Sequence, residues 1–517
     1  MKINKISYLL IFFVFLSLLK IDYRFVESIN CCGDDHDYYM HAETIANDFD
    51  FDYRNQMQGI ENKRYHKNGK IAPTGFLGSG LLASPFLFVG NQFNNFSEFR
   101  NKDFSTIYNF KILFYSFSPI FYLLFSILLL KNIFNIKNYP IILISIFGSG
   151  ITYYAFERYS MTPIYELFSI SLVIFCCKKY YNNGDIKYAI FIPMAIMLAF
   201  LIRWVNYFVL FIPFIVSYYE NPKKFKLTKS LFFISSSVVS FSIFLWFSKK
   251  VYGIYTINPQ DIYGRLDLES TLNSIGYQKI FNYFLDFLKI NFSQEFGILW
   301  FNPPVFFSFI FLLINLIYCE KNKKIVNVIS LISYLSIFGL IVIWGSTAAS
   351  YGYRYMYGLL PLSIYLLIKN EILKNKYLKN IFIIMCLFSF ISTIFFETTE
   401  LTQLSLVEKE NIFGNNVRFT QPEYLKGFIL SIFNIESYLK IISTSFVGVI
   451  VFKILISTLG KLEMIEFLNN LKLPTNNPDF LELLNKLEVI SFFKIGLSIF
   501  FIILFLNKLN IKKNFTV

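Results

Sequence analysis

Continuous apolar runs recur from one end of the chain to the other, separated by short polar segments in which lysine is frequent. Runs such as LIFFVFLSLL and FYLLFSILLL carry no apolar/polar alternation, which argues against the roughly ten-residue strands of an outer-membrane barrel. Each run is about 15 to 25 residues long, and at about 1.5 Å per helical residue that length matches a hydrocarbon core of roughly 30 Å. The pattern predicts an all-α polytopic membrane protein of about 11 to 13 transmembrane helices with large outer loops. The spans fall near residues 6–21, 106–130, 140–156, 163–177, 188–202, 204–219, 230–248, 298–318, 325–344, 355–368, 380–396, 440–457 and 490–506.

Composition places the chain in the same class. Of 517 residues, 55% are hydrophobic, 20% aromatic and only 16% charged, outside the range of soluble globular proteins. The net charge of +14 does not point to nucleic acid, because the lysines sit in short clusters between spans rather than in one stripe. With the N-terminus inside, Lys131, Lys137, Lys178, Lys179, Lys223, Lys224, Lys226, Lys229, Lys321, Lys323, Lys324, Lys369, Lys374, Lys376 and Lys379 all fall on the inner side. Trp204, Trp246, Trp300 and Trp344 then lie at outer span ends, where indole belongs. Loops 22–105, 249–297 and 397–439 face outward, as expected for a bacterial inner-membrane protein whose site faces the periplasm or exterior. Lys508, Lys512 and Lys513 break the pattern, so the orientation is read only to residue 396.

Four further readings concern organisation. The first apolar segment has no small-residue cleavage site after it and reads as an uncleaved span. The six cysteines form no CxxC and no legible disulfide framework. The segment 277–290 places Ile280, Phe281, Phe284, Leu285 and Leu288 on one face, the mark of a helix lying on the membrane surface. Residues 75–90 are apolar, glycine-rich and short, which predicts a re-entrant or interfacial segment.

The unusual polar residues collect on the outer face. Asp34, Asp35 and Asp37 crowd the first outer loop together with His36, His41 and His66. Arg158, Arg203 and Arg354 stand at outer span ends, and Glu295 precedes the span beginning GILWFNPP. Each has a structural alternative: Asp34 with Asp37 as helix caps, and the arginines as snorkelling anchors. No cofactor is legible, and the acids with the histidines leave a divalent metal open. Three arginines together on the face that disfavours positive charge point instead to an anionic headgroup.

The stretches GDDHDYYMHAETIANDFDFD, HKNGKIAPTGFLGSGLLASPFLFVG, ERYSMTPIYELF, EFGILWFNPPVF and YGYRYMYGLLP resemble the GT-C class of membrane glycosyltransferases. Within it they look like the branch related to protein O-mannosyltransferases and lipid A aminoarabinose transferases. The likeness covers about residues 1–370, which implies a transmembrane catalytic region over 1–396 with first outer loop 22–105. Residues 397–517 are a variable outer loop and the last spans. The resemblance implies an inverting transferase that moves a sugar from a polyprenyl-phosphate donor to a hydroxyl of a glycan, lipid or protein. It maps the catalytic acids to Asp34 and Asp35, where family members commonly carry Asp-Glu. Arginines Arg158, Arg203 and Arg354 would hold the donor phosphate, with Asp37, His66 and Glu295 as acceptor-side or auxiliary groups. Two other classes are weighed: a polyprenyl-linked glycan polymerase or ligase using loop 397–439, and a transporter, which should pair mid-span polar residues. Asn315 and Lys453 show no such pairing.

Overall fold

A computed structural model of the protein describes residues 33–57, 66–100, 110–134, 138–220, 227–263, 277–293, 297–318, 321–344, 353–408, 424–470 and most of 481–509. The expected first span and Glu295 lie outside these residues. Regular structure among the described residues is helical apart from one hairpin, β1 (His66–Lys67) and β2 (Lys70–Ile71). Its turn residues Asn68 and Gly69 both have positive φ, the geometry that Asn-Gly favours between paired strands.

The helices follow as α1 (Gly33–Asn47), α2 (Leu77–Arg100), α3 (Phe110–Ile133), α4 (Tyr139–Phe147), α5 (Thr152–Phe156), α6 (Pro163–Asn183), α7 (Ile186–Ile202) and α8 (Ile212–Glu220). Then come α9 (Leu227–Tyr252), α10 (Tyr277–Phe292), α11 (Pro303–Tyr318), α12 (Lys321–Trp344), α13 (Leu360–Lys369), α14 (Lys376–Glu408), α15 (Phe446–Leu459) and α16 (Phe492–Leu509). Phe110–Ile133, Leu231–Tyr252, Lys323–Val342, Lys376–Phe395 and Phe492–Leu509 are long and apolar enough to cross a membrane, and shorter apolar helices accompany them. The protein is an all-α polytopic membrane protein. Helix α3 is central, buried against α2, α6 and α16, whereas α9 turns Leu231, Val238 and Phe241 outward as a lipid-facing row.

Some of the expected spans are less regular than the sequence reading. The expected span 140–156 is broken: α4 ends at Phe147, and the chain bends through Gly148–Gly150, with Gly150 at φ +69°, before α5. The expected span 355–368 opens as a 3-10 turn, Arg354–Leu359, and becomes α-helical only at Leu360. Residues 77–100 form a continuous 24-residue helix packed on α1, α3 and α7. Glycine permits that contact, since a Cβ on Gly80 would sit 2.4 Å from His41 Cβ. The α10 helix forms as expected, but its apolar residues divide: Phe287 packs edge-on to Phe309 and Phe338, while Ile280, Phe281, Phe284 and Leu285 stay exposed.

Charge gathers at the two ends of the bundle. At one end Lys369 Nζ meets Glu220 Oε1 at 2.6 Å, and the Tyr365 hydroxyl donates to the same oxygen at 3.1 Å. The other end of α6, about 30 Å away along its 21 residues, carries the acids and arginines described next.

Candidate functional site

Asp34 and Asp35 occupy the first turn of α1, where carboxylates complement the free N–H groups of a helix start. Consecutive helical residues project in different directions, so each acid meets a different arginine. Asp34 Oδ2 lies 2.7 Å from Arg354 Nη2, and Asp35 Oδ2 is ion-paired with Arg158 Nη2. Their exposures differ: the Asp34 side chain is 32% exposed and that of Asp35 only 3%.

Asp37 is fully buried and faces another way. Its Oδ2 accepts from Thr74 N at 3.1 Å, Thr74 Oγ1 at 2.6 Å and Gly75 N at 3.0 Å, fastening the approach to α2 onto α1. His41, one turn further along, serves the same junction. Its Nε2 donates to the Gly75 carbonyl at 2.8 Å, so Nδ1 accepts from the Tyr53 hydroxyl at 2.6 Å. Burial disfavours the imidazolium and pushes its pKa down to about 4. His66 stands opposite Ile71 in the hairpin, and His36 is exposed.

The remaining arginines sit where helices end. Arg203 caps the C-terminus of α7, where a cation suits the terminal carbonyls. Its Nε lies 3.0 Å from Glu166 Oε1, and its Nη2 donates to Thr162 Oγ1. Thr162 precedes Pro163, the first residue of α6, and its hydroxyl donates to Glu166 Oε1 at 2.8 Å; Asn206 Nδ2 donates to Oε2 at 3.0 Å. Gly358 packs flat on this group, since a Cβ there would lie 2.9 Å from Glu166 Oε2. Arg354 follows Tyr353, which turns the chain at φ +48°.

Arg203 and Arg354 share one aromatic neighbour. Their guanidinium carbons lie 4.4 and 5.4 Å from the centroid of Tyr355. Arg203 Nη1 and Arg354 Nε are buried and have no hydrogen-bond partner among the described residues. Two cationic donors therefore remain unsatisfied around one ring, an arrangement suited to an anion with several oxygens. Beside Arg203, Trp204 heads an apolar cavity of about 820 Å³ between α7, α8 and α9.

The structure thus brings Asp34, Asp35, Arg158, Arg203 and Arg354 to one end of the bundle, with Asp37 bracing α1 behind them. Glu166, Thr162, Asn206 and Tyr355 also belong to this site, and the sequence reading did not assign them roles. Glu166 carried a usable signal, because an acid inside an apolar helix requires a partner. Asp34 and Asp35 are each ion-paired with arginine, and among the described residues no three His, Cys, Asp or Glu side chains cluster as metal ligands.

No family model and no curated protein matches the chain. Among solved structures it is similar to the archaeal oligosaccharyltransferase AglB from Archaeoglobus fulgidus, in complex with an inhibitory peptide and a dolichol-phosphate, at 13% identity and a TM-score of 0.32. That comparison covers 84% of this chain and 55% of the other, so the chain spans about half the length of that enzyme.

Proposed function

We propose that the protein is a membrane glycosyltransferase of the GT-C type, which moves a sugar from a polyprenyl-phosphate donor to a hydroxyl of a glycan, lipid or protein on the outer membrane face. The observation that carries this reading is the pair of unsatisfied guanidinium donors, Arg203 Nη1 and Arg354 Nε, beside an apolar cavity and next to a part-exposed carboxylate. A phosphate would take the donors, and an isoprenoid tail would lie along the apolar wall between α7, α8 and α9.

The chemistry follows from the acid that is open to substrate. Of the carboxylates paired with these arginines, Asp34 is 32% exposed while Asp35 and Glu166 are 3% and 0% exposed. Asp34 takes the acceptor proton as the acceptor oxygen attacks the anomeric carbon. The carbon–phosphate oxygen bond breaks, polyprenyl phosphate leaves with its electrons, and the anomeric configuration inverts. Arg354 moves from the Asp34 carboxylate toward the leaving phosphate as charge develops there, with Arg203 on the other side of Tyr355. Asp35 with Arg158, and Glu166 with Asn206, hold the two ends of this arrangement.

The test is sugar transfer by the purified chain in proteoliposomes loaded with a labelled polyprenyl-phosphate hexose and envelope lipids. Release of polyprenyl phosphate with stoichiometric labelling of an acceptor supports the reading. Binding without transfer, accompanied by movement of the lipid-linked sugar across the bilayer, would replace it with a transporter.

A further inference from the structure

A second cavity, of about 540 Å³, lies apart from the arginine site and is lined by side chains of both charges. Its wall combines Asp50, Asp52 and Arg54 from the segment after α1, Lys70 from β2, and Trp246 and Lys250 from the end of α9. The frame is tied together internally. Asp50 Oδ1 accepts from Asp52 N at 3.0 Å, Arg54 Nε donates to both Asp52 oxygens at 2.9 Å, and Lys70 Nζ donates to the Lys250 carbonyl at 2.7 Å. Phe51 meets Trp246 edge-on at 5.9 Å.

Position and charge together select a ligand class. Trp246 is 46% exposed and continues the lipid-facing row of α9 formed by Val238, Val239, Phe241 and Ile243. An exposed indole at the end of such a row marks the headgroup level of a bilayer. Arg54 pairs with Asp52, and the lining as a whole sets two carboxylates, Asp50 and Asp52, against three cations, Arg54, Lys70 and Lys250. A purely anionic headgroup would satisfy the lysines and leave Asp50 repelling it. A quaternary ammonium would give Asp50 no hydrogen bond.

We propose that this cavity binds the headgroup of a glycerophospholipid that carries both a phosphate and a primary ammonium. The phosphate rests between Lys70 and Lys250, the ammonium donates to Asp50, and the acyl chains follow the lipid-facing row of α9. The site is independent of sugar transfer and is read by binding alone.

Delipidated full-length protein in detergent is titrated with phosphatidylethanolamine, phosphatidylglycerol, phosphatidylcholine and soluble phosphoethanolamine, and bound lipid is counted by native mass spectrometry. Phosphatidylethanolamine is expected to bind about tenfold more tightly than the other two lipids, the scale of one charge-assisted contact. Asp50→Asn keeps the acceptor for Asp52 N, so it should fold, and it should reduce that preference to within about twofold. Lys250→Gln should weaken phosphatidylethanolamine and phosphatidylglycerol alike. Equal binding of the three lipids by the unaltered protein, or an undiminished preference in a folded Asp50→Asn variant, overturns the proposal. Saturation by soluble phosphoethanolamine at the affinity of the lipid assigns the site to a soluble ligand and overturns the lipid.

Discussion

Glu166 Oε1 and Arg203 Nε meet at 3.0 Å where α6 begins and α7 ends, and neither side chain is more than 3% exposed. A buried pair of this kind contributes little net stability over an apolar pair, but removing one member strands the other charge. Glu166→Ala should therefore cost about 3–5 kcal/mol in thermal or denaturant unfolding. Glu166→Leu combined with Arg203→Met should recover most of that stability while abolishing polyprenyl-phosphate binding. Recovery of both stability and binding in the double variant would remove Arg203 from the donor site.

Asp34 and Asp35 should separate by phenotype. Asp34→Asn keeps shape and hydrogen bonding to Arg354 but removes the basic oxygen, so transfer should fall by about 100-fold or more with donor binding retained. Asp35→Asn should act on folding, because it leaves Arg158 buried without its counter-charge. Transfer and unfolding are measured side by side on both proteins. Loss of transfer in a stable Asp35→Asn variant, with Asp34→Asn active, would move the base to Asp35.

Much of this arrangement was legible in the sequence because membrane physics is restrictive. Apolar run length places α3, α9, α12, α14 and α16, since lipid forces each such run to satisfy its own backbone. The acids and arginines were legible as a group because charge at span ends is costly and stands out. Their partners were not. Which acid meets Arg203 depends on how α6 and α7 pack, and spacing along one chain does not encode that contact. A contact of the same kind is Gly80, whose bare Cα lets α2 press against His41 in the fold. Asp37 was singled out in the sequence, but its contacts were not legible there: its spacing from Asp34 suits a capping role, whereas its carboxylate accepts from Thr74 and Gly75.

His41 predicts an acid-sensitive junction. Its folded pKa of about 4 lies below the ordinary 6.5, so the unfolded chain binds the proton first as pH falls. The neutral ring's contribution is complete above pH 6.5 and is lost progressively between about 6.5 and 4, by about 3 kcal/mol in total. Unfolding in detergent across that window should show the slope, and His41→Gln should flatten it. A slope unchanged in the variant would place the titration elsewhere.

The apolar cavity makes the last prediction, because a lipid-tail groove and a packing defect respond differently to being filled. The groove runs from Tyr180 and Tyr181 to Trp204 and Ile257, the length of α7, so a long isoprenoid would contact its whole wall and a short one only the Trp204 end. Ser237 lines the wall on α9 and its hydroxyl bonds only within its own helix, to the Phe233 carbonyl, so it can be replaced without breaking a tertiary contact. Ser237→Trp should fill the groove. If the cavity were merely unfilled space, the added indole would raise the melting temperature and leave the enzyme's preference for donor length unchanged. For a tail site, KM for a long-chain polyprenyl-phosphate sugar should rise about tenfold while that for a two- or three-isoprene analogue stays within about twofold, and kcat should hold for both. The comparison of long and short donors in one variant controls for folding, since a misfolded site would lose both. Equal loss with the two donors would dissociate the cavity from the tail and leave the arginine site to bind the donor by its phosphate and sugar alone.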